Sequence, residues 1–363
     1  MAGIGMTDPS KLDRLPDDPA WGHGRVAGSG GVRLHYVRLG AGDPVLLLHG
    51  WPGFWYDWRR VLVPLADRAD VIAPDFRGYG DSDKPDVPPA EGYTATVMTD
   101  DLVALLDGLE IGEVVVAGHD IGATIAQSLA LRHPDRVRAL ALFNPPYPGI
   151  GERRFEPSAQ REFWYQHFHN LPWSDRLVAQ DRETVGLYLA HFYDHWSGRK
   201  DAVREREFEA IVDAYARPGA LAASIAYYRA RAAGRQAQAA APPEESRIRH
   251  PTAIAWGELD PVIPSAWADR LGQTFPNHEL TLLPGIGHFV PLEAPERTIE
   301  TIHRALSLAR REHPARMKHH ERPRSPTPAS GYTNAASAPT TACGDSAGTK
   351  CPTPVSTRLS ERG

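Results

Sequence analysis

Hydrophobic residues from about Gly24 to His133 fall into short β-branched or aliphatic runs that alternate with stretches of helical period, and one more such run follows at 137–143. The runs predict strands over residues 34–39, 44–49, 69–74, 113–118 and 137–143. Apolar positions spaced as on one helical face predict helices over 55–65, around 102–109 and from Ile121 to just before Pro134. Strands joined by helices are typical of a mostly parallel sheet with crossover connections, so the pattern predicts an α/β fold flanked by helices.

The pattern changes after this region. A long aromatic-rich stretch without strand-like runs extends from Asn144 to about Arg247. Strand-like runs return at 252–256 and 279–283, so we interpret the stretch as a helical lid inserted into one α/β domain. The predicted division is an N-terminal extension at 1–22, the first part of the core at 23–143, the lid at 144–247, the second part of the core at 248–311 and a tail at 312–363. The tail has almost no large apolar side chains, which predicts disorder.

Composition narrows the class of protein. Of the 363 residues, 42% are hydrophobic and 23% are charged, which excludes a wholly disordered or collagen-like chain. The formal net charge of -5 does not favour nucleic acid or an anionic membrane as a partner, and no apolar run approaches the ~20 residues of a membrane helix. Both cysteines, Cys343 and Cys351, lie in the predicted tail, so we expect no disulfide or metal site in the core. Because the N-terminus does not resemble a signal peptide, we expect a cytoplasmic protein. We also expect that the protein needs no cofactor.

Asp120 stands in the strongest local motif, Gly-His-Asp-Ile-Gly at 118–122, between a valine-rich strand and an amphipathic helix. This setting is typical of a nucleophile elbow, a sharp strand-to-helix turn that needs small neighbours. An aspartate is ionised near neutral pH, with a reference pKa of ~3.9. It can displace a leaving group at an sp³ carbon to form an alkyl ester, so substrates with a strained ether or a halide are expected. The alternative interpretation is a plain turn with a helix-capping aspartate.

Two further residues accompany Asp120. Asp260 follows one predicted strand and His288 follows the next, and the order nucleophile, acid, histidine resembles that of the α/β-hydrolase fold. In this division of roles His288 activates the water that cleaves the ester, while Asp260 orients the imidazole and stabilises its protonated form. Glu258 is a weaker candidate for the acid. Asn144 stands where some related enzymes hold their acid, but an amide cannot neutralise an imidazolium.

The segment 49–53, His-Gly-Trp-Pro-Gly, directly follows a predicted buried strand. Its small residues allow backbone N–H groups to face the elbow. The backbone amides of Trp51 and Ile121 are therefore the candidate oxyanion hole. We interpret His49 and His119 as packed, hydrogen-bonded histidines rather than as catalytic groups.

Together these residues resemble the epoxide hydrolase branch of the α/β-hydrolase superfamily, over about residues 24–309. The matching elements are the segments 49–52, 75–82, 257–261 and 287–288 and the Asp120 elbow. Members of that branch carry two lid tyrosines that hold and protonate the epoxide oxygen. The resemblance gives these roles to Tyr165 and Tyr228, with Tyr227 as the alternative in register. Core packing of these rings is the competing interpretation.

The resemblance implies an enzyme that opens a small apolar epoxide through an ester on Asp120 and releases a vicinal diol after attack by water. Haloalkane and haloacetate dehalogenases share most of these motifs and are the alternative, followed by a non-catalytic binding protein of the same fold. Haloacetate dehalogenases carry arginines just after the nucleophile, where this chain has Ile121 and Thr124. Haloalkane dehalogenases usually have a tryptophan there as halide donor, and isoleucine has no side-chain donor.

The aromatic residues of the lid predict an apolar pocket, although many of them must pack the lid against the core. They are Phe155, Phe163, Trp164, Phe168, Trp173, Phe192, Tyr193 and Trp196. The sequence carries no signal for the oligomeric state or for which epoxide is bound.

Overall fold

The structure, a computed structural model, describes residues 14–239 and 246–312, and side chains within 14–232 and 246–311. The predicted tail from residue 313 onward, with Cys343 and Cys351, lies outside the described residues. The described residues belong to one compact unit. The boundaries predicted between core and lid therefore stay a prediction.

A twisted sheet forms the centre of the molecule, with strand order β1-β2-β4-β3-β5-β6-β7-β8 in the described part of the chain. The strands are β1 His23–Ala27, β2 Arg33–Gly40, β3 Asp43–Leu48, β4 Ala69–Pro74, β5 Val114–His119, β6 Val137–Phe143, β7 Thr252–Gly257 and β8 His278–Leu283. Strand β2 pairs antiparallel with β1 and β4, and the pairs from β4 through β8 are parallel. The predicted α/β fold with a mostly parallel sheet is confirmed.

The helices lie on both faces of the sheet and across its carboxyl end. They are α1 Arg59–Ala66, α2 Pro89–Gly92, α3 Ala95–Gly108, α4 Ile121–Arg132, α5 Pro157–Glu162, α6 Trp164–His169, α7 Ser174–Val178, α8 Arg182–Trp196, α9 Glu205–Ala216, α10 Ala220–Ala239, α11 Leu271–Thr274, α12 Val290–Glu293 and α13 Pro295–Glu312. Short 3-10 helices lie at Ser29–Gly31, Trp55–Trp58, Pro134–Arg136, Pro148–Phe155 and Ser265–Arg270. Between β6 and β7 the described residues form helices only, as the aromatic-rich stretch predicts.

The core lies around the central strands β3, β5, β6 and β7. Every residue of β5 is buried, in the run Val-Val-Val-Ala-Gly-His. Such a run fits a strand that is covered by helices on both faces, because neither side of the sheet faces water. Helix α4 packs against β5, while α13 packs against β6 and β7. The carboxyl ends of these parallel strands meet at one edge of the sheet, which is where the candidate catalytic residues begin.

Candidate active site

Asp120 sits at the turn between β5 and α4 with φ 50° and ψ -116°, a backbone conformation that non-glycine residues rarely adopt. Glycines flank it because there is no room for side chains. A Cβ at Gly122 would lie 2.2 Å from the carbonyl oxygen of Leu48, and one at Gly118 would lie 2.6 Å from that of Gly122. The close approach of β3, β5 and α4 therefore fixes the turn and presents the carboxylate at its apex.

The Asp120 carboxylate is almost completely buried, with 8% of the residue exposed. Its Oδ2 accepts a hydrogen bond of 3.1 Å from the backbone N–H of Trp51, just after β3, and the backbone N–H of Ile121 also donates to the carboxylate. Burial raises the pKa of Asp120, while His288 and these two amides oppose the rise. The two predicted oxyanion-hole amides thus meet at the predicted nucleophile.

His288 and Asp260 form a fully buried pair, with His288 Nδ1 2.9 Å from Asp260 Oδ2. The other oxygen of Asp260 accepts from the backbone N–H groups of Val262 and Ile263 at 2.8 and 3.0 Å, which fixes the carboxylate. Burial lowers the pKa of His288, but the Asp260 carboxylate and then Asp120 outweigh it, so the net shift is upward. Within the described part of the chain, the buried Nε2 of His288 has no hydrogen-bond partner. This nitrogen is therefore open to a water molecule or a substrate.

Asn144 braces this pair. It follows β6 with φ 43°, and its Nδ2 donates to Asp260 Oδ2 at 2.7 Å and to the carbonyl oxygens of Gly287 and His288, each at 3.1 Å. Its Oδ1 accepts from the N–H of Gly257 at 2.8 Å. The amide thus holds the loops of both the acid and the histidine.

The other acid candidate, Glu258, is exposed to solvent, whereas Asp260 is 4% exposed. Geometry therefore favours Asp260 over Glu258 as the partner of His288. The two residues are separated by a single position, so the sequence alone could not exclude the glutamate.

Glu293 is a buried carboxylate that sequence reasoning missed. Its oxygens accept from the backbone N–H groups on both sides of His288, those of Gly287 at 2.8 Å and Phe289 at 3.0 Å. They also accept from the N–H groups of Gly198 and Arg199 at 2.8 and 2.9 Å. One side chain thus ties the histidine loop to the end of α8. Two of these partners, Gly198 and Arg199, lie about 95 residues earlier in the chain, so no local motif could have revealed the tie between the two segments.

Tyr165 on α6 and Tyr228 on α10 meet above the elbow. Their ring centroids lie 5.4 Å apart at 85°, and each phenol is close enough to the other to influence its pKa. Gln166 Nε2 also donates to the Tyr165 hydroxyl at 3.1 Å. Burial raises the pKa of both phenols, so both stay protonated over the physiological range.

Asp120, Tyr165 and Tyr228 line the same pocket, which is partly open to solvent. Tyr227 is buried but is not among the residues that line this pocket. The other lining residues are Ile121, Thr124, Pro146, Ile150, Arg154, Phe155, Gln160, Phe163, Gln166, His167, Arg231, Val262, Ile263 and Trp267. The sequence predicts an apolar pocket, and the lining contains polar and cationic side chains among the apolar ones.

Of the eight lid aromatics expected around the pocket, only Phe155 and Phe163 line it. Others pack deeper in the lid. Trp196, for example, contacts the ring of His288 at a centroid distance of 5.2 Å. This packing agrees with the expectation that many of the lid aromatics pack the lid against the core rather than line the pocket.

The two neighbouring histidines are held by backbone groups, as interpreted from the sequence. His49 bonds to the carbonyl oxygen of Gly50 at 2.9 Å and accepts from the N–H of Phe76 at 3.2 Å. His119 donates from Nε2 to the carbonyl oxygen of His288 at 2.8 Å. Burial lowers the pKa of both imidazoles. They support the loops of the site as neutral groups.

Neither a metal site nor a membrane span is found in the described ranges. Residues 14–239 and 246–312 contain no cluster of three or more histidine, cysteine, aspartate or glutamate side chains arranged to hold a metal ion. No helix among the same residues is both long enough and apolar enough to cross a bilayer.

Comparison with known proteins adds an independent result. A family model described as alpha/beta hydrolase fold matches residues 43–295. The soluble epoxide hydrolase of Corynebacterium sp. (strain C12) is 33% identical over 281 residues, which cover 75% of this chain and 92% of the relative. Epoxide hydrolase 4 of Homo sapiens is 30% identical over 275 residues, 73% of each chain.

Solved structures agree with the sequence comparison. The ligand-free epoxide hydrolase CorEH superimposes with a TM-score of 0.68 at 30% identity, over 78% of this chain and 98% of its own. A Bacillus megaterium epoxide hydrolase in complex with an inhibitor gives a TM-score of 0.69 at 25% identity, over 78% of this chain and 99% of its own.

Proposed function

The chain belongs to the epoxide hydrolase branch of the α/β-hydrolase superfamily and is a hydrolase acting on ether bonds, and we propose that it works through a covalent ester on Asp120. Its substrates are an epoxide and water, and its product is a vicinal diol. The residues that do the chemistry are Asp120, His288, Asp260, Tyr165 and Tyr228.

In the first step, a carboxylate oxygen of Asp120 attacks one carbon of the oxirane, and the bond between that carbon and the epoxide oxygen breaks. The electron pair moves to the oxygen, which would become an alkoxide. Tyr165 and Tyr228 donate hydrogen bonds to this oxygen, and one of them supplies its proton. Their elevated pKa values keep both hydroxyls protonated and able to donate.

In the second step, His288 Nε2 removes a proton from a water molecule whose oxygen attacks the carboxyl carbon of the Asp120 ester. The negative charge that develops on the carbonyl oxygen is stabilised by the N–H groups of Trp51 and Ile121, which already donate to this carboxylate in the free enzyme. Asp260 stabilises the imidazolium. When the intermediate collapses, the leaving oxygen takes the proton of the new carboxyl group, so the diol departs and Asp120 is regenerated as a carboxylate. The proton held by His288 returns through solvent to the tyrosinate formed in the first step. The diol oxygen at the attacked carbon therefore derives from the carboxylate.

One observation carries the proposal: a carboxylate at an elbow and two protonated phenols line the same pocket. Dehalogenation needs the carboxylate but no acid for an alkoxide, because a halide leaves as a stable anion. The two positions where haloacetate dehalogenases hold arginines are Ile121 and Thr124, and both of these side chains line the pocket. A carboxylate-binding arginine is therefore missing beside the nucleophile in this lining. The immediate surroundings of the nucleophile therefore fit an epoxide better than a haloacetate.

The experiment is a panel of terminal and internal epoxides, chloro- and bromoalkanes, and fluoro- and chloroacetate, with diol and halide measured in parallel. We expect diol from epoxides and little halide. Efficient halide release with all epoxides left intact would overturn the assignment, and no product from any substrate would favour a non-catalytic binding protein. The Asp120→Asn variant keeps the shape of the side chain but removes the nucleophilic carboxylate. Any product that this variant still forms is due to contaminating hydrolases.

A further inference from the structure

The wall of the pocket carries two arginines that the proposed mechanism does not use. Arg154 comes from the 3-10 helix Pro148–Phe155, and Arg231 comes from α10. Against these cations, Asp120 is the only carboxylate among the residues that line the pocket. The lining therefore has a negative reactive end and a second, positively charged region.

Arg231 lies on the same face of α10 as Tyr228, three residues further along. This spacing moves its α-carbon about 4.5 Å along the helix axis from that of the tyrosine. Both arginines act electrostatically on Tyr227, and Arg231 also acts on Tyr165. The charges that act most strongly on Asp120, in contrast, are those of His288 and Asp260. Both arginines thus lie close to the lid tyrosines, and neither is among the main charges that act on Asp120.

Arg229 and Arg231 lie on the same helix but differ in their partners. Arg229, on the same helix, donates to Asp175 Oδ1 at 2.7 Å and to the carbonyl oxygen of His169 at 2.8 Å. No hydrogen bond or ion pair joins Arg231 to another side chain within residues 14–232 and 246–311. Its half-buried guanidinium lines the pocket.

Resting on the proposed function, the geometry points to an epoxide that carries a carboxylate a few carbons from the oxirane as the preferred substrate class, with Arg231 as the specificity-determining residue. Arg154 lines the same pocket. A guanidinium binds a carboxylate through two parallel N–H···O bonds, which gives orientation as well as affinity. The oxirane of such a substrate lies between Asp120 and the two tyrosines, while its anionic end lies at Arg231. The carboxylate remains unchanged in the reaction.

The test uses 5,6-epoxyhexanoate and its neutral primary amide, which share a carbon skeleton and differ in charge. We expect the kcat/KM for the carboxylate to exceed that for the amide by about tenfold, the effect of one favourable interaction of 1.36 kcal/mol. Addition of 0.5 M NaCl reduces this preference, because salt screens a partly exposed ion pair. Arg231→Gln lowers the ratio of the two kcat/KM values toward one, through a higher KM for the carboxylate.

Arg161→Gln is the matched control, since Arg161 is an exposed lid arginine outside the pocket lining and its substitution removes the same charge. The subsite proposal is overturned if the parent enzyme does not prefer the carboxylate, or if Arg161→Gln reduces the preference as much as Arg231→Gln. If the amide is hydrolysed in either case, the proposed function stands while the subsite fails. If the parent hydrolyses neither compound nor any epoxide of the wider panel, both proposals fail.

Discussion

Asn144 and His288 bind the same oxygen of Asp260: Asn144 Nδ2 lies 2.7 Å from Asp260 Oδ2, and His288 Nδ1 lies 2.9 Å from it. The asparagine also donates to the carbonyl oxygen of His288. The orientation of the imidazole is therefore set by both the acid and an amide from a third strand end. The other ring nitrogen of His288, Nε2, is therefore the one that we propose to act on the water molecule.

Replacement of His288 separates the two chemical steps. Asp120 can still attack the epoxide in His288→Ala, but the base for ester hydrolysis is lost. We expect the variant to accumulate an alkylated protein, measured by intact mass after mixing with epoxide, while steady-state turnover falls to near zero. Equal loss of alkylation and of turnover in a folded variant would contradict this assignment.

Replacement of the lid tyrosines acts on the earlier step. Each of Tyr165→Phe and Tyr228→Phe removes one donor to the epoxide oxygen and keeps the ring packing. Loss of one preorganised donor costs roughly 2.7 to 4 kcal/mol in an oxyanion hole, and less where two donors share the oxygen. We expect partial activity in each single variant, almost none in the double variant, and slower ester formation by rapid-quench mass spectrometry.

Tyr227→Phe is the control for the choice between the two neighbouring tyrosines as second donor, because Tyr227 does not line the pocket. Ring opening at the parental rate in the double variant would refute the role of the two phenols. A larger effect from Tyr227→Phe than from Tyr228→Phe would move the second donor to Tyr227.

Glu293 is predicted to be a positioning residue for His288. In Glu293→Gln the amide N–H₂ must face backbone N–H groups, and the negative charge that raises the pKa of His288 is removed. We expect ester hydrolysis to slow on the order of tenfold, which is 1.36 kcal/mol, with ester formation affected less. Since His288 must be neutral to act as base, the rate rises with pH through its pKa, and this ascending limb moves to lower pH in the variant.

The measurement is the pH profile of single-turnover ester decay in the parent, Glu293→Gln, Glu293→Asp and Glu296→Gln. Glu296 is exposed on α13 and serves as the control for charge. Glu293→Asp keeps the carboxylate and is expected to hold the limb near its parental position. If the ascending limb of the pH profile stays at its parental position in Glu293→Gln, Glu293 has only a structural role.

Asp57 makes the stability of the fold depend on pH. The side chain is buried, its Oδ1 has no hydrogen-bond partner in the described part of the chain, and burial raises its pKa to about 8. Because the carboxyl is ionised above about pH 4 in the unfolded chain, its contribution to stability is fully present at low pH. That contribution is lost as pH rises from about 4 toward 8.

Asp57→Asn removes this titration while keeping the shape. We expect the Tm of the variant, relative to the parent, to rise by ~2 °C or more between pH 5 and pH 8 in scanning calorimetry. Asp86→Asn replaces an exposed carboxylate, and its Tm is expected to differ from that of the parent by the same amount at pH 5 and at pH 8. A constant difference for Asp57→Asn as well would mean that its carboxyl titrates normally.

The sequence predicts features that depend on neighbours along the chain. The strands 69–74 and 137–143 have the predicted bounds. The glycines around Asp120 indicate the elbow in the sequence, because the close approach of strand and helix leaves no room for side chains there. Strand β1, His23–Ala27, was missed because its Gly and Arg residues give no β signal at this edge of the sheet. The predicted helix 55–65 is a 3-10 turn followed by α1, a difference in hydrogen bonding that periodicity does not report.

Features that depend on distant contacts were less accessible. The carboxylate of Glu293 meets backbone groups about 95 residues earlier, at Gly198 and Arg199. The composition of the pocket depends on which helical faces turn inward, so the arginines were not expected among the aromatic residues. The triad order was readable because each member follows a strand, and parallel strands bring their carboxyl ends together.

Single turnover in ¹⁸O-water tests the covalent role of Asp120 most directly. With enzyme in excess over epoxide, the oxygen added to the diol must come from the unlabelled Asp120 carboxylate, so the first diol contains no ¹⁸O. Mass spectrometry of the recovered peptide then finds the label in Asp120. Full incorporation of ¹⁸O into the diol of the first turnover, with an unlabelled Asp120 peptide, would mean that water attacks the epoxide directly and would contradict the ester mechanism.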